Sequence, residues 1–355
     1  MFFFRRLLPA RRALLLAFLI HVQGFSLQAE TLKIVAFSDI NGSNGSTDYV
    51  PSVGIGLGNF LRKNPALVIG VGDYTGGEDI SLKLPDSIFP KMWDVFIEKF
   101  FNPIVNAGVS IALSPGNHDA SGYPRLARER QAFLSYWSGR KPALNYVDDQ
   151  FYPLFYSYEI NGVFFISMDD VTPVNLMQGA LQRSWIAEQL SSSRAKRAKA
   201  RIVYGHIPLY AVLDKKKHAN GNNGKYFEVL TNEQFANRGD GLESILIAHK
   251  VDLAVFAHSH AYYAGAAIHN KNGKKSSLRI LSMPCLGPGA RFLPNRDARS
   301  PNGYALIEVD LENSDVTYEM YTYDDKIIAK TSLPESIVQA DEKMKYVRDD
   351  LRGRF

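Results

Sequence analysis

Five short polar clusters stand in a fixed order along the chain, and each one closes a hydrophobic run. Their side chains are carboxylates, carboxamides and imidazoles, which are the donors that divalent metal ions take in hydrolytic sites. The clusters are Ser38-Asp39-Ile40-Asn41, Gly72-Asp73, Gly116-Asn117-His118-Asp119, Gly205-His206 and Ala257-His258-Ser259-His260. This set of residue types predicts hydrolysis at a pair of metal ions.

Both carboxylates and imidazoles are predicted to bind the two metal ions. Asp39 and Asp73 offer carboxylate oxygens, and one carboxylate between two cations can hold them about 3.5–4 Å apart. A hydroxide that bridges the ions would then be the nucleophile. The other predicted donors are the amide oxygen of Asn117 and the imidazoles of His206, His258 and His260. In an extended chain, residues 258 and 260 project to one side, so they can serve different ions only if the chain turns there.

His118 directly follows Asn117, so its ring is expected at the mouth of the site. Asp119 is expected to accept a hydrogen bond from that ring and to raise its pKa, which suits the imidazole to protonate a leaving alkoxide. The two residues form the predicted general acid.

Each cluster also has an ordinary structural interpretation. Asp39 and Asp73 could be turn or helix N-cap residues, since aspartate often takes these places after a strand. His206 could hydrogen-bond within a loop. The fixed order of all five clusters favours the metal site over these separate explanations.

Hydrophobic runs with little helical period precede the clusters and predict buried strands. The runs are 32–37, 67–71, 109–113, 201–204 and 253–256. Residues at the carboxyl ends of such strands meet in one crevice of an open α/β sheet. Five loops that are distant in sequence are therefore expected to share one pocket.

The composition is that of a globular chain with a sizeable core. Of the 355 residues, 46% are hydrophobic and 22% are charged, which excludes a fibrous or disordered chain. No linker or change of composition divides residues 31–325, so one catalytic domain is predicted over residues 30–330. The charged and periodic C-terminal segment, 331–355, is expected to be helical.

The first residues have the layout of an export signal. Arginines at 5, 6, 11 and 12 precede the apolar stretch 13–22, and Ala29 offers a small residue at a cleavage position. This predicts a signal peptide over residues 1–29 and a secreted or periplasmic mature protein. The apolar stretch is shorter than the roughly 20 residues of a membrane span, so the mature chain is expected to have none. The alternatives are an uncleaved anchor and a twin-arginine signal.

Charge and cysteine content set further bounds. The net charge is +5, and four of the arginines lie in the predicted signal, so no nucleic-acid partner is implied. The single cysteine, Cys285, excludes an internal disulfide, and its apolar setting predicts a buried structural thiol rather than a nucleophile. No oligomeric state is predicted.

The five clusters resemble the motifs of the calcineurin-like metallophosphoesterases, which read Asp-x-His, Gly-Asp, Gly-Asn-His-Asp/Glu, Gly-His and Gly-His-x-His. The resemblance runs from residue 32 to the region of residue 310. It implies a four-layer α/β/β/α sandwich of two mixed sheets with flanking helices. It also implies the assignment of the site: Asp39 and His260 at the first metal, Asp73 as the bridge, Asn117, His206 and His258 at the second metal, and His118 with Asp119 as the acid. The segment 205–210 is similar to the purple acid phosphatase branch, although the position of that branch's iron-ligating tyrosine is Gly76 here.

Two positions depart from the family pattern. Ala257 replaces a glycine, a change of one methyl group that should be tolerated. Asn41 replaces a histidine and can offer a carboxamide oxygen in place of a nitrogen, which shifts metal preference toward Mn²⁺. We therefore predict two divalent metal ions, with Mn²⁺ favoured and Fe or Zn as alternatives, and Asn41 as a candidate ligand.

The predicted function is metal-dependent hydrolysis of a phosphate mono- or diester. The alternative is a degenerate member that retains the fold and acts as a non-catalytic binding protein, and Asn41 is the sequence feature that favours it. Arg291 and the lysines at 215–217 could contact a phosphate, but neither is assigned to the site. A solvated loop explains the lysine-containing insertion equally well.

Overall fold

The computed structural model describes residues 30–172, 177–210, 212, 241–271, 274–293, 297–337 and 344–354. The predicted signal peptide, 1–29, and the lysine-containing insertion, 214–224, lie outside the described residues. Among the described residues, no helix has the length and apolar character that crossing a membrane requires.

The described residues form fourteen strands. The strands are β1 (Thr31–Phe37), β2 (Leu67–Val71), β3 (Ser110–Ser114), β4 (Tyr146–Asp148), β5 (Tyr156–Ile160), β6 (Val163–Ser167), β7 (Ala200–Tyr204), β8 (Leu253–Phe256), β9 (Tyr263–Lys271), β10 (Lys274–Ser282), β11 (Gly303–Asp310), β12 (Val316–Thr322), β13 (Ser336–Ile337) and β14 (Met344–Arg348). All five predicted strands are confirmed, as β1, β2, β3, β7 and β8.

The helices connect the strands and cover the sheets. They are α1 (Pro51–Leu61), α2 (Ile88–Phe96), α3 (Asn102–Asn106), α4 (Asn117–Ala120), α5 (Ala127–Ser138), α6 (Met177–Ser191), α7 (Ser193–Arg197) and α8 (Leu242–Ala248). A π-helical turn over Ile97–Phe101 continues α2, and 3₁₀ turns cover Pro124–Leu126, Lys330–Ser332 and Asp349–Arg354.

Two mixed sheets form the centre of the molecule. The first has the strand order β12-β11-β1-β2-β3, and the second has the order β13-β14-β9-β10-β8-β7-β6-β5-β4. Strands β1, β2 and β3 run parallel, as do β6, β7, β8 and β10, so their carboxyl ends share one edge in each sheet. The remaining neighbours pair antiparallel. The predicted arrangement of two mixed sheets with helices is confirmed.

The two sheets contact each other through buried aromatic and hydroxyl side chains. Tyr156 of β5 donates a hydrogen bond from its hydroxyl to the carbonyl of Leu113 at 2.8 Å and accepts one from the Leu113 N–H at 2.8 Å. Ser167 of β6 donates to the same carbonyl at 3.2 Å. All five residues of β2 are buried, as expected for a parallel strand covered on both faces. These hydrogen bonds fix the position of one sheet relative to the other, and with it the position of the strand ends that carry the polar clusters.

Part of the C-terminal segment, 331–355, contradicts the prediction of a helix, although Asp349–Arg354 form a 3₁₀ turn. Residues Met344–Arg348 form β14, which pairs antiparallel with β9 and places Tyr346 opposite Ala267. Tyr346 and Val347 are buried in the core, and Asp349 pairs with Arg279 of β10 at 3.0 Å. The charged and periodic pattern that predicted a helix thus belongs to residues that are partly paired and partly buried within the fold.

Candidate metal centre

The loops after β1 and β2 are joined by their backbones. The N–H of Asp39 donates to the carbonyl of Gly72 at 3.0 Å, and the N–H of Ile40 donates to the carbonyl of Asp73 at 3.0 Å. The N–H of Asn41 reaches the same Asp73 carbonyl at 3.2 Å. These bonds place the two buried aspartates side by side, with Asn41 next to them.

Four residues of the clusters adopt left-handed backbone conformations. The φ angles are 49° at Asp39, 59° at Asp73, 61° at His258 and 49° at His260. Non-glycine residues in sparsely populated conformations cost about 1–3 kcal/mol each and concentrate at functional sites. The cost indicates that the surrounding hydrogen bonds hold these side chains in set directions.

The structure brings the predicted donors together in two groups. Asp73, His206 and His258 form one group, and Asp39, Asp73 and His260 form the other, with the ligand atoms of each group within 4.8 Å of one another. Asp73 belongs to both groups, which is the place of a bridging ligand. The rings of residues 258 and 260 separate because the chain turns there, with the N–H of Ser259 bonded to the carbonyl of Ala257 at 2.5 Å.

Asn117 lies beside the first of these groups. Its Oδ1 atom is 3.0 Å from Nε2 of His206 and 2.9 Å from Nδ1 of His258. Asn117 is the first residue of the short helix α4, so its direction is set by the turn at Gly116. All the predicted donors except the Asn41 side chain therefore lie close to at least one other donor.

The environment of Asp39 tests whether cations fit this site. Both of its carboxylate oxygens are buried, and neither has a well-aligned hydrogen-bond donor among the described residues. Nε2 of His260 lies 3.0 Å from Oδ1. A buried carboxylate without hydrogen bonds is costly unless a cation balances it. Together with the mixture of carboxylate, amide and imidazole donors, this fits two divalent cations.

His206 is oriented by groups behind it. Its Nδ1 lies 2.8 Å from the carbonyl of Val71, so the ring donates there and leaves Nε2 facing Asp73 at 3.2 Å. Its backbone N–H donates to Oδ1 of the buried Asp170 at 2.8 Å. Gly72 permits the close approach, because a Cβ atom there would lie 2.5 Å from Nδ1 of the ring.

The charges of the pocket move the pKa values of its histidines apart. Burial lowers the pKa of His206, but the charge and hydrogen bond of Asp73 outweigh it and raise the pKa to about 10. Burial and the neighbouring His206 charge lower the pKa of His258 to about 3. Burial opposes ionisation of Asp39 and Asp73, but the histidine charges hold the pKa of both carboxyls below the usual range. The pocket thus favours ionised carboxylates beside a neutral His258.

Asp119 accepts no hydrogen bond from the ring of His118 in the described part of the chain, contrary to the expectation, although its charge is among those that raise the pKa of this ring. Its Oδ2 accepts the backbone N–H groups of Asp73 at 2.7 Å and Gly116 at 2.9 Å. Its Oδ1 accepts the N–H groups of Tyr74 and Thr75, each at 3.0 Å. Burial and the Asp73 charge raise the pKa of Asp119 to about 6, against the effect of these hydrogen bonds. Asp119 therefore joins two backbone loops.

The ring of His118 is partly exposed at the mouth of the pocket and has other partners. Nδ1 lies 2.9 Å from the carbonyl of Gly77, and Nε2 lies 3.4 Å from Oε2 of Glu78 and 4.0 Å from Oδ2 of Asp73. Burial lowers the pKa of His118, but Asp73 and Glu78 reverse this and raise it. The carboxylate that neighbours the ring is thus Glu78.

Sequence reasoning missed Glu78 and two further carboxylates that are buried, Glu129 and Asp170. Glu129 of α5 accepts the N–H groups of Glu78 at 2.5 Å and Asp79 at 2.8 Å, and so holds the loop beside His118. Asp170 follows β6, and burial raises its pKa to about 7. The strand-end rule that found the five clusters applies to Asp170 as well, whereas nothing local connects Glu129 with the pocket.

The sequence profile of the calcineurin-like phosphoesterases matches residues 32–262. The chain belongs to this family. No curated protein gives a significant match to the sequence.

Several solved structures are similar to this calcineurin-like phosphoesterase. Purple acid phosphatase PPD1 from yellow lupin (Lupinus luteus) seeds is 14% identical, with a TM-score of 0.58 over 85% of this chain and 53% of the lupin chain. The GAP50 anchor of the inner membrane complex of Plasmodium is 12% identical, with a TM-score of 0.49 over 84% of this chain and 87% of its own. A dimetal phosphatase from Danio rerio is 12% identical, with a TM-score of 0.44 over 78% and 95% of the two chains. This chain spans about half the length of the lupin phosphatase, 53%, and the likeness to it shows the fold.

Proposed function

We propose that this chain hydrolyses phosphate esters in a metal-dependent reaction. The observation that carries the proposal is the convergence of donors from both sheets into two groups that share Asp73. Asp39 and His260 would hold one ion, His206, His258 and Asn117 the other, and Asn41 is a further candidate. Divalent cations bound there would supply Lewis acidity and a nucleophile at neutral pH. Asp39, Asp73 and His206 are buried, which strengthens the charge interactions between them.

His118 is proposed to supply the leaving-group proton from Nε2. The carbonyl of Gly77 fixes the opposite nitrogen, so the Nε2 edge is the one directed toward the mouth. Replacing the ring with alanine should reduce turnover of esters whose leaving groups have high pKa values. An activated aryl phosphate needs little protonation and should be spared. His249→Ala, at the end of α8, is the matched control, and equal losses on both substrates would assign His118 a structural role.

The first experiment is elemental analysis of the full chain purified without chelator, followed by assays on a panel of phosphate mono- and diesters with added Mn²⁺. Two ions per chain and metal-dependent hydrolysis are expected. Two bound ions without hydrolysis of any ester would favour the non-catalytic binding protein. One ion or none in the presence of Mn²⁺ would show that Asn41 marks an incomplete first site.

Mn²⁺ is the proposed preferred metal, because Asn41 can offer oxygen in place of nitrogen. Asn41→His should tighten the first site and shift its preference toward nitrogen-favouring ions. Calorimetric titration with Mn²⁺ and Zn²⁺ measures this, and unchanged affinities would exclude Asn41 as a ligand.

Export to the periplasm or medium is likewise proposed from residues 1–29, and N-terminal sequencing of the exported protein would test it.

A further inference from the structure

The loop that follows β10 lies against the donors of the Asp39 group. The N–H of Leu286 donates to the carbonyl of Ser38 at 3.0 Å, and the N–H of Gly287 donates to the carbonyl of Asp39 at 2.9 Å. Further along, the N–H of Arg291 donates to the carbonyl of His260 at 3.1 Å. One short loop therefore runs from one predicted ligand of the first metal to the other.

Gly289 carries this loop directly over the imidazole of His260. Its φ is +94°, and a Cβ atom there would lie 2.9 Å from Nδ1 of the ring. On the far side, the N–H of Ser300 donates to the carbonyl of Arg291 at 2.8 Å, and Phe292 forms an isolated bridge with Arg299. The backbone of Arg291 is thus held at both its N–H and its carbonyl, which fixes where its side chain begins.

The Arg291 guanidinium contributes positive charge to the pocket. The residue is half-buried, and its Nη1 atom is fully buried. Burial lowers the pKa of Arg291, while the charges of Asp39 and Asp73 act in the opposite direction. The Arg291 charge in turn contributes to the low pKa of His258. The guanidinium therefore lies within electrostatic reach of both donor groups.

A phosphoryl group placed between Arg291 and the predicted metal ions would meet positive charge on both sides. Arginine presents a planar fork that matches the oxygens of a phosphoryl group, and it stays charged when partly buried. A monoester dianion carries a second negative charge that a diester lacks, so it gains more from a fixed positive charge. The position and the residue type thus both suit a phosphate monoester.

We propose that Arg291 binds a phosphoryl oxygen of the substrate and selects phosphate monoesters over diesters. The selectivity between ester classes rests on the proposed hydrolase function, because it names the substrate class of the same site. Arg291 is not assigned as a metal ligand, and removing it should leave the metal content unchanged.

The test compares Arg291→Gln, Arg291→Lys and the control Arg299→Gln in the full chain loaded with Mn²⁺. The control removes one positive charge from the same loop at an exposed position, together with the hydrogen bond that Arg299 donates to the carbonyl of Ala290 at 2.6 Å. Calorimetry with inorganic phosphate is the first readout, and kcat/KM for an aryl phosphate and the matching methyl aryl diester is the second. Arg291→Gln should weaken phosphate binding by about 10- to 100-fold, the range of one charge-assisted hydrogen bond. It should lower kcat/KM for the monoester more than for the diester.

Arg291→Lys should retain an intermediate affinity, Arg299→Gln should resemble the wild type, and elemental analysis should give equal metal content for all four proteins. Wild-type phosphate affinity in Arg291→Gln would overturn the proposal, as would an equal loss in Arg299→Gln or a loss of metal. Equal losses on monoester and diester would overturn the selectivity. If the wild type hydrolyses neither ester but binds phosphate through Arg291, the binding site stands and the proposed hydrolase fails.

Discussion

Replacing Asp119 with asparagine should destabilise the fold, because this side chain joins the loop after β2 to the turn before α4. Its two oxygens accept four backbone N–H groups and the hydroxyl of Thr75. Asparagine has only one acceptor oxygen, which is best placed at the Oδ1 position. There it still accepts from the N–H groups of Tyr74 and Thr75 and from the Thr75 hydroxyl. Its NH₂ group would then face the N–H groups of Asp73 and Gly116, which lose their acceptor.

Two lost hydrogen bonds to a charged acceptor, at about 1.5–3 kcal/mol each, give a loss of about 3–6 kcal/mol. At about 2 °C per kcal/mol for a chain of this size, Tm should fall by about 6–12 °C. The measurement is thermal unfolding by circular dichroism in the presence of chelator, so that loss of metal does not contribute. All variants are heated at one scan rate.

His118→Asn is the matched control, because it changes the neighbouring residue and removes one ring-to-backbone hydrogen bond. Its Tm should stay within about 2 °C of the wild type. If Asp119→Asn instead unfolds with the wild type while turnover falls, the structural role of this carboxylate is refuted, and it acts on the reaction.

Three further outcomes follow from other parts of the molecule. Asp73→Asn should lower the binding of both ions, whereas Asp39→Asn should lower only one, and calorimetric titration with Mn²⁺ would contradict this if both variants lost the same number of sites. His269 lies 2.8 Å from Glu243, whose hydrogen bond raises the pKa of the imidazole above its usual 6.5 despite burial. The stabilising effect of this pair should be complete below about pH 6.5 and be lost as pH rises through the raised pKa. The Tm difference between wild type and His269→Gln should therefore shrink between pH 6 and pH 9. A difference that stays constant with pH would exclude the ion pair as its cause. Cys285 is fully buried, and burial raises the pKa of its thiol, so a thiol reagent should label the chain only after unfolding, and rapid labelling of the native protein would contradict its position in the core.

The five strands and their polar ends could be predicted because both signals are local. A short apolar run such as 67–71 indicates a buried strand by itself, and parallel strands then bring their ends to one edge. The side-chain directions were less accessible. Asp119 is adjacent to His118 in sequence, but in α4 it occupies the position whose carboxylate turns back to the Gly116 N–H. Adjacency along the chain therefore did not give contact.

Other features depend on distant partners, which local patterns do not encode. Glu78 lies beside His118 because Glu129, from a different helix, holds its loop. The last strand, β14, exists because β9 offers it an edge, and its charged sequence alone indicated a helix. In both cases a residue far along the chain decides the local conformation.

The donor atoms of the site are sorted by sheet. The loops after β1, β2 and β3 supply oxygen atoms from Asp39, Asp73 and Asn117, while the loops after β7 and β8 supply imidazoles from His206, His258 and His260. Each donor group draws on both sheets, so neither sheet alone carries a complete set of ligands. Tight metal binding would consequently occur late in folding, only after the two sheets have packed against each other. Bound ions would then stabilise the contact between the sheets. Because the oxygen donors and the imidazoles come from different sheets, substitutions among the oxygen donors can change the metal preference while the histidines stay unchanged.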